Sequence, residues 1–214
     1  MKAARQLTLP LPQHGGRRPG AGRKPKGSKP LVSHKARAQF DKPLPVHVTL
    51  RVGEDVWNLR SGRSYRRLKA CLAAAAGRFG LRVIAFSIQG NHLHLIVEAN
   101  GTEALSRGMQ GLCIRIAKAL NAMMRRPGQV FADHYHSRLL RSPSETVVAI
   151  AYVLDNHRHH HGERGVDRYS SAALDDAERA KLLSRPVGWL LRVGWRRAKW
   201  DVRQPAVASR ERIP

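Results

Sequence analysis

Two apolar runs separated by Gly90-Asn91 constrain this chain most, because the second of them, His92-Leu93-His94-Leu95-Ile96-Val97, can be accommodated in few ways. A Gly-Asn pair between runs rich in Val, Ile and Leu predicts a tight turn, and so an antiparallel hairpin of Leu81 to Gln89 with Leu93 to Ala99. Strand side chains alternate between faces, so Leu93, Leu95 and Val97 point into a core while His92 and His94 share the opposite face. Two imidazoles on one face can hold one metal ion. An ordinary polar strand face has the same pattern, and the pair alone does not separate the two.

The surrounding periodicities extend the hairpin into a fold. Val46, Val48, Leu50 and Val52 alternate with His47, Thr49 and Arg51, which predicts a half-buried strand from Leu44. Tyr65, Leu68, Leu72, Ala75 and Phe79 recur at helical spacing up to Gly80, and Leu105, Met109, Leu112, Ile116, Leu120 and Met123 do so up to Arg125-Arg126-Pro127-Gly128. Phe131 to Arg141 supplies a fourth strand. The order strand, helix, strand, strand, helix, strand predicts an α+β, ferredoxin-like βαββαβ sandwich with an antiparallel sheet. Two helices cover one sheet face and the other is expected to be open, carrying His92, His94, His47, Thr49 and Arg51. Beyond the fourth strand, Ser142-Pro143-Ser144-Glu145 is a capping box with proline at the first helical position. The helix it starts runs to about His161-Gly162, with Val147, Ile150, Ala151 and Leu154 as its apolar stripe. Tyr152 and Asn156 lie off that stripe, one turn apart on a shared face suited either to a cleft or to simple packing.

Charge narrows the partners. Lys and Arg number 39 against 15 Asp and Glu, a formal net charge of +24, and such an excess costs stability by self-repulsion unless a polyanion is bound. Nucleic acid is the expected partner. No stretch approaches the roughly 18 apolar residues of a spanning helix, and Met1 to Pro12 do not resemble a signal peptide, so a cytoplasmic, nucleoid-associated location without membrane contact is expected. Cys71 and Cys113 are too few for a disulfide framework and read as reduced core residues.

Residues 1–42 hold eleven Lys or Arg against the single acid Asp41, with recurrent Gly and Pro, and are expected to be a disordered basic arm. Within it Arg17-Arg18-Pro19-Gly20-Ala21-Gly22-Arg23-Lys24-Pro25 resembles an AT-hook; Arg17, Arg18, Arg23 and Lys24 would contact phosphate or enter a minor groove. Residues 43–162 form the expected domain, and residues 163–214 a basic extension with Trp189, Trp195 and Trp200, either for base stacking or for packing back onto the domain.

The His-x-His strand, the fourth strand and the Tyr152-Val153-Leu154-Asp155-Asn156 helix together resemble the single-tyrosine HUH endonucleases, and among them the REP-associated tyrosine transposases related to insertion-sequence transposases. The resemblance covers about residues 44–162. It implies metal-dependent cleavage and joining of single-stranded, hairpin-containing DNA, with Tyr152 as nucleophile and a 5′-phosphotyrosine intermediate. It implies His92, His94 and Asn156 as ligands of Mg²⁺ or Mn²⁺; Arg51 on the expected open face and Arg138 on the fourth strand are further candidate DNA contacts, and a monomer or homodimer is expected. A phenol with an ordinary pKa near ~10 needs such electrophilic help at its phosphate. His157, His159, His160 and His161 crowd the helix end and are alternative third ligands, and Tyr135 is a second conceivable nucleophile. A non-catalytic, domesticated nucleic-acid binder is the competing reading; an RNA-binding sheet would stack bases on central-strand aromatics, which His92-Leu93-His94-Leu95-Ile96-Val97 lacks, and a basic ribosomal protein leaves the histidine pair and tyrosine without a role.

Overall fold

A computed structural model describes residues 38–161 and 165–198, excluding the side chains of 157–161. Arg17, Arg18, Arg23, Lys24, Trp200 and the histidine side chains at the end of the tyrosine helix lie outside the described residues. Four strands, β1 (Leu44–Arg51), β2 (Leu81–Ile88), β3 (His92–Ala99) and β4 (His136–Leu139), make one sheet in the order β2-β3-β1-β4, each neighbouring pair antiparallel. Helices α1 (Gly62–Ala75) and α2 (Thr102–Met124) connect β1 to β2 and β3 to β4. This is the ferredoxin-like order that the periodicities predict. Val46, Val48, Leu50, Leu93, Leu95 and Val97 pack with Leu68, Leu72, Met109, Leu112 and Ile116 in a core between the sheet and the two helices.

Local chemistry moves several boundaries. Helix α1 stops at Ala75 because Gly77 turns left-handed, at φ 70°, and Phe79 leaves the expected stripe and is 58 % exposed. Strand β4 is shorter than the Phe131 to Arg141 expected from sequence. Asp133 Oδ1 accepts the backbone N–H of His134 at 2.7 Å, a local turn that competes with strand pairing, and Phe131 makes only an isolated bridge to Val52. Strand β2 carries an extra residue between Val83 and Ala85, which reverses its alternation: Val83 and Phe86 both face the helices, while Ile84, Ala85 and Ser87 do not.

The second sheet face is not open along its length. Helix α3 (Pro143–His161) lies on it and buries Ala149, Ile150, Val153 and Leu154 against Ile84, Ala85 and Ile96, with Leu140 and Leu191 completing the cluster. Its apolar face is therefore wider than expected, with Val153 buried and Ala151 only half-buried. The capping box forms: Glu145 N–H donates to Ser142 Oγ at 3.2 Å, and Glu145 Oε2 accepts from the N–H groups of Ser142 and Arg141. Beyond α3 the chain returns along the β2 edge, where Ser170 bridges Ser87, Ser171 Oγ accepts from Phe86 N–H and Ser184 N–H donates to Val83 O. These contacts cover an otherwise unpaired edge. After the short helix α4 (Asp176–Leu182), the buried Glu98 carboxylate accepts from Val187 N–H, Gly188 N–H and Arg82 Nε, which clamps the segment carrying α5 (Trp189–Arg192). Leu190, Leu191 and Trp195 are buried there, so the described part of the extension packs onto the domain, while Trp189 stays half exposed.

Candidate active site

Strand register gathers polar side chains on the face that α3 covers. Thr49 pairs with both His94 and His136, and His94 with Ser87, so one row across the four strands reads His136, Thr49, His94, Ser87. The neighbouring row, Arg138, His47, Ile96, Ala85, is apolar on its β2 side, where α3 packs, and polar on its β4 side. Polarity thus changes along the sheet face, and Tyr152 is delivered by α3 to that boundary. Its ring centroid lies 5.3 Å from that of His94 and 5.8 Å from that of His47, edge to face with both. His92 and His94 are 4.8 Å apart at nearly right angles.

The hydrogen bonds orient the imidazoles. Asn91 Oδ1 lies 2.8 Å from His92 Nδ1; a carbonyl oxygen only accepts, so Nδ1 is the donor. His94 Nδ1 lies 3.1 Å from His47 Nε2 and 3.2 Å from Thr49 Oγ1. Burial, reinforced by the nearby His136 and Arg138, lowers the pKa of His47 to about 4, so His47 is neutral near pH 7. His94 is 5 % exposed, whereas Tyr152 is 37 % exposed and reaches solvent.

Asn156 departs from the sequence reading. It shares helix α3 with Tyr152, yet it is fully buried, and neither Oδ1 nor Nδ2 has a hydrogen-bond partner. A buried amide without partners costs about 1–3 kcal/mol, a penalty that a bound ion or water would remove. No set of three His, Cys, Asp or Glu side chains is arranged for a metal among the described residues. The third protein donor would then be of another type, and an amide oxygen is a suitable hard ligand. Imidazole nitrogens and an amide oxygen are both donor types that a divalent cation can accept.

Of the other expected site residues, Arg51 is exposed and pairs in register with His92, and Arg138 is exposed beside Glu145 at 3.5 Å. Tyr135 packs against the core under α1 and α2 rather than in the His94 cluster. Tyr65 and Tyr169 stack edge to face, and burial pushes Tyr65 up to about 12, away from nucleophilic use. Sequence reasoning placed His47 on the correct face but gave it no role in the site; the β1–β3 register was the signal that could have done so.

A family model described as IS200-like transposase matches residues 45–156, more than half of the chain. The chain belongs to that family. The matched segment of this transposase begins at β1 and ends on Asn156. Its fold is similar to that of a REP-associated tyrosine transposase solved with a REP hairpin bound, at a TM-score of 0.56 and 15 % identity, covering 84 % of this chain and 98 % of the other. A candidate transposase from Deinococcus radiodurans aligns at a TM-score of 0.40 and 16 % identity over 54 % of this chain and 92 % of the other. No curated protein matches the sequence significantly. No helix among the described residues is long and apolar enough to cross a membrane.

Proposed function

We propose that this transposase cleaves and rejoins single-stranded DNA next to a hairpin through a covalent bond to Tyr152. The reading is carried by one observation: the Tyr152 ring lies 5.3 Å from that of His94 within a single chain. The Tyr152 Oη attacks a phosphodiester phosphorus, forming a tyrosyl O–P bond as the P–O3′ bond breaks. The phenolic proton passes to solvent at this partly exposed residue, and the departing 3′ oxygen leaves as a hydroxyl. The product holds the 5′-phosphate on Tyr152, and a second 3′-OH reverses the step, so no nucleotide cofactor is needed. Mg²⁺ or Mn²⁺ bound by His92, His94 and Asn156 would supply Lewis-acid polarisation of the scissile phosphate. Hydrogen bonds at Nδ1 orient His92 and His94, and Nε2 is the atom through which each would ligate such an ion. Arg51 and Arg138, both exposed, hold flanking phosphates, and the basic arm with Arg17, Arg18, Arg23 and Lys24 adds sequence-independent attraction.

Support for a hairpin substrate comes from the related fold solved with a REP hairpin. The approach of Tyr152 to His94 and His47 within one chain supports a monomer as the working unit, with a homodimer as the alternative.

Labelled single-stranded hairpins incubated with the protein and Mn²⁺ test the reading. Wild type should become covalently labelled, with the 5′-phosphate mapped to Tyr152 by mass spectrometry. Tyr152→Phe should bind DNA as wild type and lose at least about a thousandfold in cleavage, since no other group replaces the nucleophile. An adduct on Tyr135, or full activity in Tyr152→Phe, refutes the assignment. Tight binding without any adduct across many hairpins identifies a non-catalytic binder instead.

A further inference from the structure

His47 is the residue in this cluster that neither the metal site nor the nucleophile accounts for. It sits on β1, one row from His94 on the same sheet face, with its Nε2 3.1 Å from His94 Nδ1 and its ring 5.8 Å from that of Tyr152. A neutral imidazole has one N–H and one lone pair, so a hydrogen bond at one nitrogen decides what the other presents. If His94 Nδ1 donates, Nε2 keeps its lone pair and can ligate; if Nδ1 accepts, Nε2 carries a proton and cannot. Thr49 Oγ1, 3.2 Å from the same Nδ1, does not settle this, because a hydroxyl both donates and accepts. His47 Nε2 is the other nitrogen of that 3.1 Å contact, and by accepting there it would select the first arrangement. The same device already operates one residue pair away, where Asn91 Oδ1 accepts from His92 Nδ1. Histidine ligands commonly depend on such a partner at the non-ligating nitrogen, and loss of that partner typically costs 10–100-fold in metal affinity.

We propose that His47 is a positioning residue: its Nε2 accepts the Nδ1–H of His94 and thereby fixes His94 in the tautomer that can bind a divalent cation through Nε2. The proposal rests on the reading of His92 and His94 as ligands. It assigns β1 a part in positioning the proposed metal ligands, which themselves come from β3 and α3. Leu in place of His47 keeps an apolar side chain of moderate size beside Tyr152 but offers no acceptor, whereas Gln offers a carbonyl oxygen.

The test uses the full chain labelled with ¹⁵N-histidine and free of metal, with Mn²⁺ alone as the probe. Two-bond ¹⁵N–¹H correlation spectra should show His94, assigned by its disappearance in His94→Ala, protonated at Nδ1. In His47→Leu that preference should be lost, and Mn²⁺ binding measured by electron paramagnetic resonance should weaken by about 10–100-fold. His47→Gln should keep the Nδ1–H signal and bind Mn²⁺ within a few-fold of wild type. Circular dichroism melts of each variant show whether it is folded, and hairpin binding in EDTA should be unchanged. His94 protonated at Nε2 in wild type overturns the proposal, as does His47→Leu binding Mn²⁺ like wild type while His92→Ala does not. Unchanged Mn²⁺ binding in His92→Ala and His94→Ala as well would overturn the metal reading itself, and the tautomer assignment would lose its purpose with it.

Discussion

Asn156 places a burden on stability that a single substitution can measure. Its amide is fully buried without partners, a cost that only a ligand or water would offset. Asn156→Leu, close in volume, should raise the melting temperature of the metal-free protein, by a stabilisation on the order of 1–3 kcal/mol, while weakening Mn²⁺ binding. A variant less stable than wild type would show that the amide is satisfied in solution. His47 makes a second residue-scale prediction. Its folded pKa of about 4 lies below the ordinary 6.5, so the unfolded chain takes up the proton first. Its contribution to stability is complete above about pH 6.5 and declines as pH falls toward about 4, with a slope of at most about 1.4 kcal/mol per pH unit. Urea denaturation across that range should therefore show a shallower pH dependence for His47→Gln than for wild type. Alternation alone put His47, His92 and His94 on one face, so this part of the site was legible in sequence. The burial of Asn156 was not, since helical spacing relates it to Tyr152 but says nothing of what packs over the helix end.

At the scale of elements, α3 is held in place from both sides. Its start is set locally by the Ser142–Glu145 capping box, which four consecutive residues announce. Its seat on the sheet depends on Leu191, and on the clamp by which Glu98 receives the N–H groups of Val187 and Gly188. A β-carbon at Gly188 would stand 2.6 Å from Glu98 Oε1 and 2.8 Å from Pro43 O, closer than van der Waals contact allows. Gly188→Ala should therefore destabilise the protein by about 1–3 kcal/mol and increase proteolysis within residues 183–198. A melting curve and cleavage pattern identical to wild type would show that the clamp does not bear on the fold. Strand alternation gives Glu98 no partner. Its role required knowing which distant backbone would arrive beside it. The short β4 illustrates the opposite limit: the Asp133–His134 turn is a local hydrogen bond that strand propensity did not take into account.

For the whole molecule, DNA affinity and DNA cleavage are expected to depend on different residues, since eleven Lys or Arg lie in residues 1–42, outside the candidate site. Phe40 already belongs to the packed domain, since its N–H and C=O bond to Thr102 and its ring packs against the core. Removing residues 1–37, with ten Lys or Arg, should thus leave the melting temperature unchanged and weaken hairpin binding. The log–log salt slope of binding should drop by about 0.7–0.9 for each phosphate that the arm no longer neutralises, and an unchanged slope would place the arm away from DNA. By itself the sequence determined the strand and helix order, the hairpin, the helix cap and the face on which the histidines stand. Those follow from turn chemistry and from periods of two and 3.6 residues, which act over a few neighbours. Only the tertiary structure decided that α3 covers part of the second sheet face, that His47 touches His94, and that Asn156 is buried without a partner. Such facts depend on contacts between residues as far apart as Glu98 and Gly188, which no local period encodes.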